Sequence, residues 1–231
     1  MTARPALAAA SRAVALSFER GTSLCEPFLT ITPATGASIS FLGTATAQAT
    51  ICASDATAAR LDELQFDLGE GPCWEAMRSG IPVLHPDIQN RANPVWPEFA
   101  RAIHGEPVGA MFAFPLVVSS LEIGAVDLYT TAAGPLSSYE IADAATLASL
   151  AAWQVLRWVL TGQEDAGLEG SPYSRREIHQ ATGMVIAQLD VTAEDALLLL
   201  RAHAFSRALS VREIAAEIVE RRLSFSPEND I

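Results

Sequence analysis

Arginine is the residue type whose number and placement give this chain the most scope for chemistry. All 15 basic residues are Arg, and Lys is absent. A guanidinium group donates paired hydrogen bonds to phosphate oxygens and stacks on bases, which favours contacts with nucleic acid. A GC-rich genome would also encode Arg in preference to Lys, so the positions of the arginines are more informative than their type.

Charge is unevenly distributed along the chain. Residues 1–170 contain 8 Arg and 18 acids, whereas residues 171–223 contain 7 Arg and 7 acids. The whole chain has a formal net charge of −12. The C-terminal segment is therefore the stretch that does not repel a polyanion.

Three short helices are predicted to position the C-terminal arginines. Each opens with a hydroxyl residue followed three positions later by a carboxylate, and together these groups can cap free backbone amides. The three pairs are Ser174 with Glu177, Thr192 with Asp195, and Ser210 with Glu213. Apolar residues recur at helical spacing within each segment, which leaves the opposite face polar.

That polar face is the predicted nucleic-acid contact. Its members are Arg175, Arg176, His179, Thr182, Gly183, Arg201, Arg207 and Arg212. Gly183 in mid-helix costs about 1 kcal/mol relative to Ala, which close approach of another backbone would justify. Any single Arg could equally be a solvated ion-pair partner of a nearby glutamate.

Residues at fixed spacing in this segment carry a family resemblance. They are Ala181, Thr182 and Gly183 on the first helix, Ala196, Leu200, Arg201 and Ala204 on the second, and Ile214 and Ala215 on the third. The segment 174–225 resembles an ANTAR domain, an RNA-binding antitermination module. Thr182 departs from the pattern, because a basic residue is typical there. The resemblance implies a homodimer whose paired modules bind two neighbouring RNA stem-loops and so prevent a terminator hairpin from forming.

The first 160 residues predict an α+β domain built on an antiparallel sheet. Helices are predicted at Ala6–Phe18, Thr57–Phe66 and from about Cys73 to Met77. Five strands are predicted at Ala37–Leu42, Ala47–Cys52, Val108–Phe114, Leu116–Ser119 and Ile123–Tyr129. A break at Pro115 separates two of these strands.

A long helix closes this domain, from Ser138 to about Leu160. One apolar seam on it steps by four and three through Ile141, Ala145, Ala148, Ala152, Val155 and Val159. We predict that this seam packs on a second subunit, although burial of the whole helix within one monomer is the alternative. The predicted boundaries are 1–160 for this domain, 161–173 for a hinge and 174–225 for the helical module.

The string FDLGEGPCWEAMRSGIPV, a later Trp-Pro pair, Phe114–Leu116 and IGAVDLY carry a second resemblance. Residues 5–160 resemble a GAF domain of the kind found in actinobacterial regulators. The resemblance implies an unidentified small molecule held between the sheet and its covering helices, and no cofactor is identified. Candidate positions for such a ligand are Cys73, Trp74, Trp96, His104, Asp127 and Tyr129, each of which could equally be an ordinary core or surface residue.

Cysteine usage and hydropathy indicate a cytoplasmic protein. Cys25, Cys52 and Cys73 are an odd number at irregular spacing, which suits a reducing compartment and not a disulfide scaffold. Charged residues interrupt the alanine-rich start, so it lacks the apolar core of a signal peptide. The uncharged run 27–54 is too polar for a membrane span.

Two other functions are compatible with the sequence. The three short helices could form a helix-turn-helix that reads duplex DNA, although arginines and amides do not cluster on the third helix. Cys73 at a helix start, where a thiolate is favoured, could serve a cysteine-dependent redox enzyme if other cysteines approached it. Metal-ligand spacing and a phosphate-binding loop are missing from the sequence, and we predict that the protein is not an enzyme.

Overall fold

The computed structural model describes residues 5–43, 47–90, 94–161 and 175–225. The first domain contains, in chain order, α1 (Pro5–Arg20), α2 (Glu26–Leu29), β1 (Gly36–Leu42), β2 (Gln48–Ala53), α3 (Ala56–Leu68), α4 (Pro72–Ser79), β3 (Val83–His85), α5 (Pro97–Ala102), β4 (Ala110–Val118), β5 (Leu121–Thr130) and α6 (Ser138–Leu160). The C-terminal domain contains α7 (Arg176–Leu189), α8 (Ala193–Arg207) and α9 (Val211–Val219).

The five strands form an antiparallel sheet in the order β2-β1-β5-β4-β3. Side chains alternate between its faces. Ile39, Phe112 and their neighbours on one face pack with α1, α2 and α6 in the main apolar core. The opposite face carries Met111 and Tyr129, which pack with α3 and α5. The predicted α+β architecture is confirmed, and the site lies on this second face.

Two strands differ from the prediction. β4 continues through Pro115, where a break was predicted, and Pro115 pairs with Ala125 of β5. β3 reaches only Ala113 on the other side of β4, so the missing proline N–H lies beyond that pairing and interrupts no ladder there. β3 itself, three residues long, was not predicted.

The long helix α6 has the predicted bounds, but its predicted dimer seam is wrong. Ala148, Ala152 and Val155 are fully buried within the chain, because α6 packs on both α1 and β4. Ile141, Ala145 and Val159 lie at the edge of the same core. The seam therefore has its partners inside the monomer.

A different face of α6 is open to solvent. Tyr139, Trp153 and Leu160 are 67%, 59% and 76% exposed. Steps of seven residues from Tyr139 lead through Thr146 to Trp153 and then to Leu160, which is the spacing of a helix–helix seam.

A disulfide joins Cys25, at the start of α2, to Cys52 in β2. The sequence analysis established no relation between these cysteines and favoured reduced thiols, so this pairing corrects it. Their sequence separation of 27 residues gives no local signal, because the fold alone brings β2 beside the α1–α2 connection. Cys73 is the free cysteine, and it is buried.

The C-terminal helices begin largely as predicted. Thr192 accepts a hydrogen bond from the Asp195 N–H, and Ser210 forms a complete capping box with Glu213. Ser174 lies outside the described residues, and α7 begins after Arg175 without a side-chain cap. Within the ranges that the structure describes, no helix is both long and apolar enough to cross a bilayer.

Candidate nucleic-acid interface

The apolar core of the C-terminal domain extends onto the first domain. Ile178, Leu200 and Ile214, one from each C-terminal helix, belong to one buried cluster that also includes Phe66 of α3. The two domains are therefore packed together, and α3 lies against the module predicted to bind nucleic acid.

Arg175 is the most deeply buried of the predicted contact residues, at 5% exposed. Its Nη2 donates to Asp62 Oδ2 at 2.9 Å and to Thr50 Oγ1 at 3.1 Å. Its guanidinium carbon lies 3.8 Å from the centre of the Phe66 ring. Burial lowers the pKa of Arg175, and the Asp62 carboxylate opposes that shift. This arginine was predicted to face solvent, but it lies between the two domains.

Asp62 is prepared for this arginine by the sheet. Its two carboxylate oxygens accept hydrogen bonds from the Ser40 and Thr50 hydroxyls on β1 and β2. The carboxylate is itself buried, so its position is fixed before Arg175 reaches it. Sequence reasoning missed Asp62 because one acid within an acidic domain is not distinctive.

Arg201 is held beside Arg175 by the end of α3. Its Nε donates to the Phe66 carbonyl at 2.9 Å, and its guanidinium lies 5.1 Å and 5.4 Å from the Phe66 and Trp74 ring centres. Burial, followed by the charge of Arg175, lowers the pKa of Arg201 to about 10. Gly69 has φ +66°, and a Cβ there would lie 3.0 Å from Arg201 Nη1, so this turn needs glycine on both counts.

Two acids extend the contact toward α9. Glu63 Oε1 lies 3.7 Å from Arg212 Nε. The backbone N–H of Val211, in the first turn of α9, donates a hydrogen bond to Asp67. Burial, followed by the charge of Glu63, raises the pKa of Asp67 to about 7. A cavity of about 350 Å³ lies between the domains and is lined by these acids and by Arg60, Arg175 and Arg212.

The remaining predicted contact residues are divided between the core and the surface. Thr182 is fully buried, and its hydroxyl donates to the Ile178 carbonyl at 2.7 Å, so its predicted place on the polar face is wrong. His179 is half-buried and hydrogen-bonds the backbone of Gln48 in β2. Burial, followed by the charge of Arg175, lowers the pKa of His179.

Three of the predicted contact residues are exposed. They are Arg176, Gly183 and Arg207. The Arg207 guanidinium pairs with Glu217 of α9 at 2.6 Å. A Cβ on Gly183 would meet no atom within 4 Å, so the chain itself gives this glycine no close neighbour.

Gln65 of α3 links three of the predicted ligand-binding positions. Its Nε2 donates to Asp127 Oδ2 at 2.6 Å, and its Oε1 accepts from the Cys73 N–H at 2.8 Å. Its backbone carbonyl accepts from Trp74 Nε1 at 2.7 Å. Burial raises the pKa of Asp127 to about 7. The predictions missed Gln65, and these polar groups already have partners within the chain.

The other predicted ligand-binding positions lie apart from this group. Trp96 Nε1 donates to Glu75 Oε2 at 2.8 Å, and the Tyr129 hydroxyl donates to Asp55 Oδ1 at 3.0 Å. His104 is exposed. The structure therefore does not bring these side chains together with Cys73 around one space.

Cys73 differs from the reactive cysteine considered above. Burial raises the pKa of its thiol well above the ordinary value, and the nearby Asp127 and Asp62 charges act in the same direction. The other two cysteines are bonded to each other. Its place at the start of α4 therefore does not give the thiolate expected from the sequence.

A five-stranded antiparallel sheet covered by helices on both faces, followed by three packed helices, defines a sensor-type domain joined to a helical output module. Family models identify both parts. A GAF domain is matched over residues 22–154 and an ANTAR domain over residues 166–219. The chain belongs to the GAF family and has the domain order of a GAF-ANTAR regulator.

Solved structures agree with the first assignment at the level of fold. The GAF domain of a phosphoenolpyruvate-protein phosphotransferase from Coxiella burnetii is 14% identical, with a TM-score of 0.51, and the match covers 69% of this chain and 99% of that one. The GAF domain of the Acinetobacter phosphoenolpyruvate-protein phosphotransferase is 10% identical, with a TM-score of 0.50, and covers 68% and 96%. No curated protein sequence matches the chain.

Proposed function

We propose that the protein is an RNA-binding regulator that prevents transcription termination by holding paired stem-loops in nascent transcripts. The observation that carries the proposal is the match of residues 166–219 to an ANTAR domain, in which Arg175, Arg201 and Arg212 lie on one side of a three-helix core. Guanidinium groups can pair with closely spaced phosphates and stack on the unpaired bases of a loop.

The active form in this proposal is a homodimer. A single module with balanced charge binds weakly, whereas two linked modules gain affinity from the effective concentration of the second. The exposed face of α6 formed by Tyr139, Trp153 and Leu160 is the pairing surface, because large apolar groups at seven-residue spacing favour helix–helix packing.

The GAF domain supplies the regulatory input in this proposal, as a receptor for a small-molecule effector in the cytoplasm. It is not an enzyme. The raised pKa of Cys73 supports a structural role for that thiol, since a thiolate is the reactive species.

The test compares binding of the full chain to two synthetic RNAs, one with two adjacent stem-loops and one with a single stem-loop. We expect at least tenfold tighter binding to the double stem-loop and loss of that preference in Trp153→Glu, which should sediment as a monomer. Equal affinity of the wild type for both RNAs contradicts the dimer mechanism. Preference for duplex DNA in competition would favour the helix-turn-helix alternative.

A further inference from the structure

Four consecutive contacts from one face of α3 cover the arginine side of the C-terminal domain. Asp62 pairs with Arg175, and the Phe66 ring lies under both Arg175 and Arg201. Glu63 lies beside Arg212, while Asp67 accepts from the first turn of α9. We call the four α3 residues Asp62, Glu63, Phe66 and Asp67 the α3 clamp.

The α3 clamp offers guanidinium groups the same chemistry that RNA offers. A carboxylate supplies anionic oxygens as a phosphate does, and an aromatic ring supplies a flat π-face as an unstacked base does. Arg175 receives both at once, with Asp62 Oδ2 at 2.9 Å and the Phe66 ring centre at 3.8 Å. An RNA loop would have to displace these partners to reach the same arginine.

We propose that the packed arrangement is an autoinhibited state, in which the α3 clamp occupies the arginines of the ANTAR domain until the two domains separate. This inference rests on the proposed RNA-binding function. Arg175, with 5% of its surface exposed, cannot contact a phosphate in this arrangement. Its burial against Asp62 is specific to the closed state, since both residues come from different domains.

The chemistry of the contact suits a reversible closure. A buried ion pair contributes little net stability, because desolvation of both charges offsets their attraction. Arg175 Nη1 and Arg201 Nη2 are buried without a hydrogen-bond partner, which weakens the closed state further. Domain separation would return both groups to water or to RNA.

The decisive variant is Glu63→Arg in the full chain, which places a positive charge against Arg212. Its matched control is Glu98→Arg on α5. The two glutamates have similar side-chain exposure, 37% and 34%, and each pairs with an arginine. Both substitutions change the net charge equally, so they add the same non-specific attraction for RNA. We expect Glu63→Arg to bind a synthetic RNA with two adjacent stem-loops about tenfold tighter than Glu98→Arg does.

Phe66→Ala provides a second, charge-neutral variant, with Phe99→Ala as its control. Phe66 and Phe99 are both buried aromatics of the first domain, but Phe99 packs with α3 and Trp96, away from the arginines. Opening is measured directly by phenylglyoxal modification of Arg175 and Arg201, with the 71% exposed Arg101 side chain as the internal reference. We expect faster modification of both arginines in Phe66→Ala and in Glu63→Arg, and no change in either control.

The outcomes separate this inference from the RNA function itself. If Glu63→Arg and Phe66→Ala expose the arginines but bind RNA no more tightly than their controls, while the wild type binds RNA, autoinhibition is overturned and the RNA function stands. If no variant binds RNA although the arginines are accessible, the RNA function is overturned, and the autoinhibition with it. If Phe99→Ala tightens RNA binding as much as Phe66→Ala does, loosening of the domain explains the effect and the clamp is rejected.

Discussion

Asp67 makes the stability of the domain contact depend on pH. Its carboxylate accepts the hydrogen bond of the Val211 N–H. Glu63 on the same helix repels it, whereas Arg175 and Arg60 attract it. Burial dominates these effects and raises the pKa of Asp67 from 3.8 to about 7. The folded chain therefore binds the Asp67 proton more tightly than the unfolded chain does.

The sign of the pH effect follows from that raised pKa. The protonated carboxyl contributes stability that is complete below about pH 4 and is lost as the pH rises to about 7. With pKa values of 3.8 unfolded and about 7 folded, the free energy of unfolding falls by about 2 kcal/mol between about pH 5.5 and about pH 8. Screening of the partly exposed side chain makes this an upper value.

Asp67→Asn isolates this contribution. The amide oxygen can still accept from the Val211 N–H, but the side chain never ionises. Urea unfolding of the full chain at both pH values should show the wild type losing up to about 2 kcal/mol more than Asp67→Asn across the range. An identical pH dependence for both proteins would refute the reasoning.

Asp127 provides the control, because burial also raises its pKa to about 7. It lies between α3 and the sheet, bonded to Gln65, and does not line the interdomain cavity. Asp127→Asn should flatten the pH dependence of global unfolding in the same way. It should leave unchanged the pH dependence of Arg175 modification relative to Arg101, which Asp67→Asn should reduce.

Two further predictions concern the corrections that the structure makes to the sequence analysis. Removing the disulfide in Cys25→Ser/Cys52→Ser should lower the free energy of unfolding by about 3 kcal/mol, because the bond closes a long loop; adding dithiothreitol should bring the wild type to the same value in urea unfolding, and insensitivity to the reductant would contradict this. Thr182→Val should cost about 1 kcal/mol through the lost hydrogen bond to the Ile178 carbonyl and leave RNA affinity unchanged, whereas a clear fall in affinity at equal stability would return Thr182 to the binding surface.

Local signals predicted the secondary structure well. The bounds of α6 agree with its hydrophobic pattern, and Ser137 with Glu140 forms the capping box at its start. The same reasoning failed at Pro115, because a proline was treated as the end of a strand. Whether proline interrupts a sheet depends on the neighbouring strand, and β3 ends before it reaches Pro115.

Periodicity predicts which residues share a face of a helix, but it does not identify what covers that face. α6 is apolar on several sides, so its seam could pack on a second subunit or on the chain itself. The structure covers the seam with α1 and leaves Trp153 exposed. On α7, one polar face likewise divides between the domain contact, at Arg175, and the solvent, at Gly183.

The domain contact did leave a signal in the sequence, although it lies in α3 and not among the arginines. Asp62, Glu63, Phe66 and Asp67 recur at the i, i+1, i+4, i+5 spacing of a single helix face. An aromatic flanked by acids suits neither a purely apolar core nor a purely solvated surface. Such a face requires a cationic partner that can also stack, and within this chain the C-terminal arginines supply it.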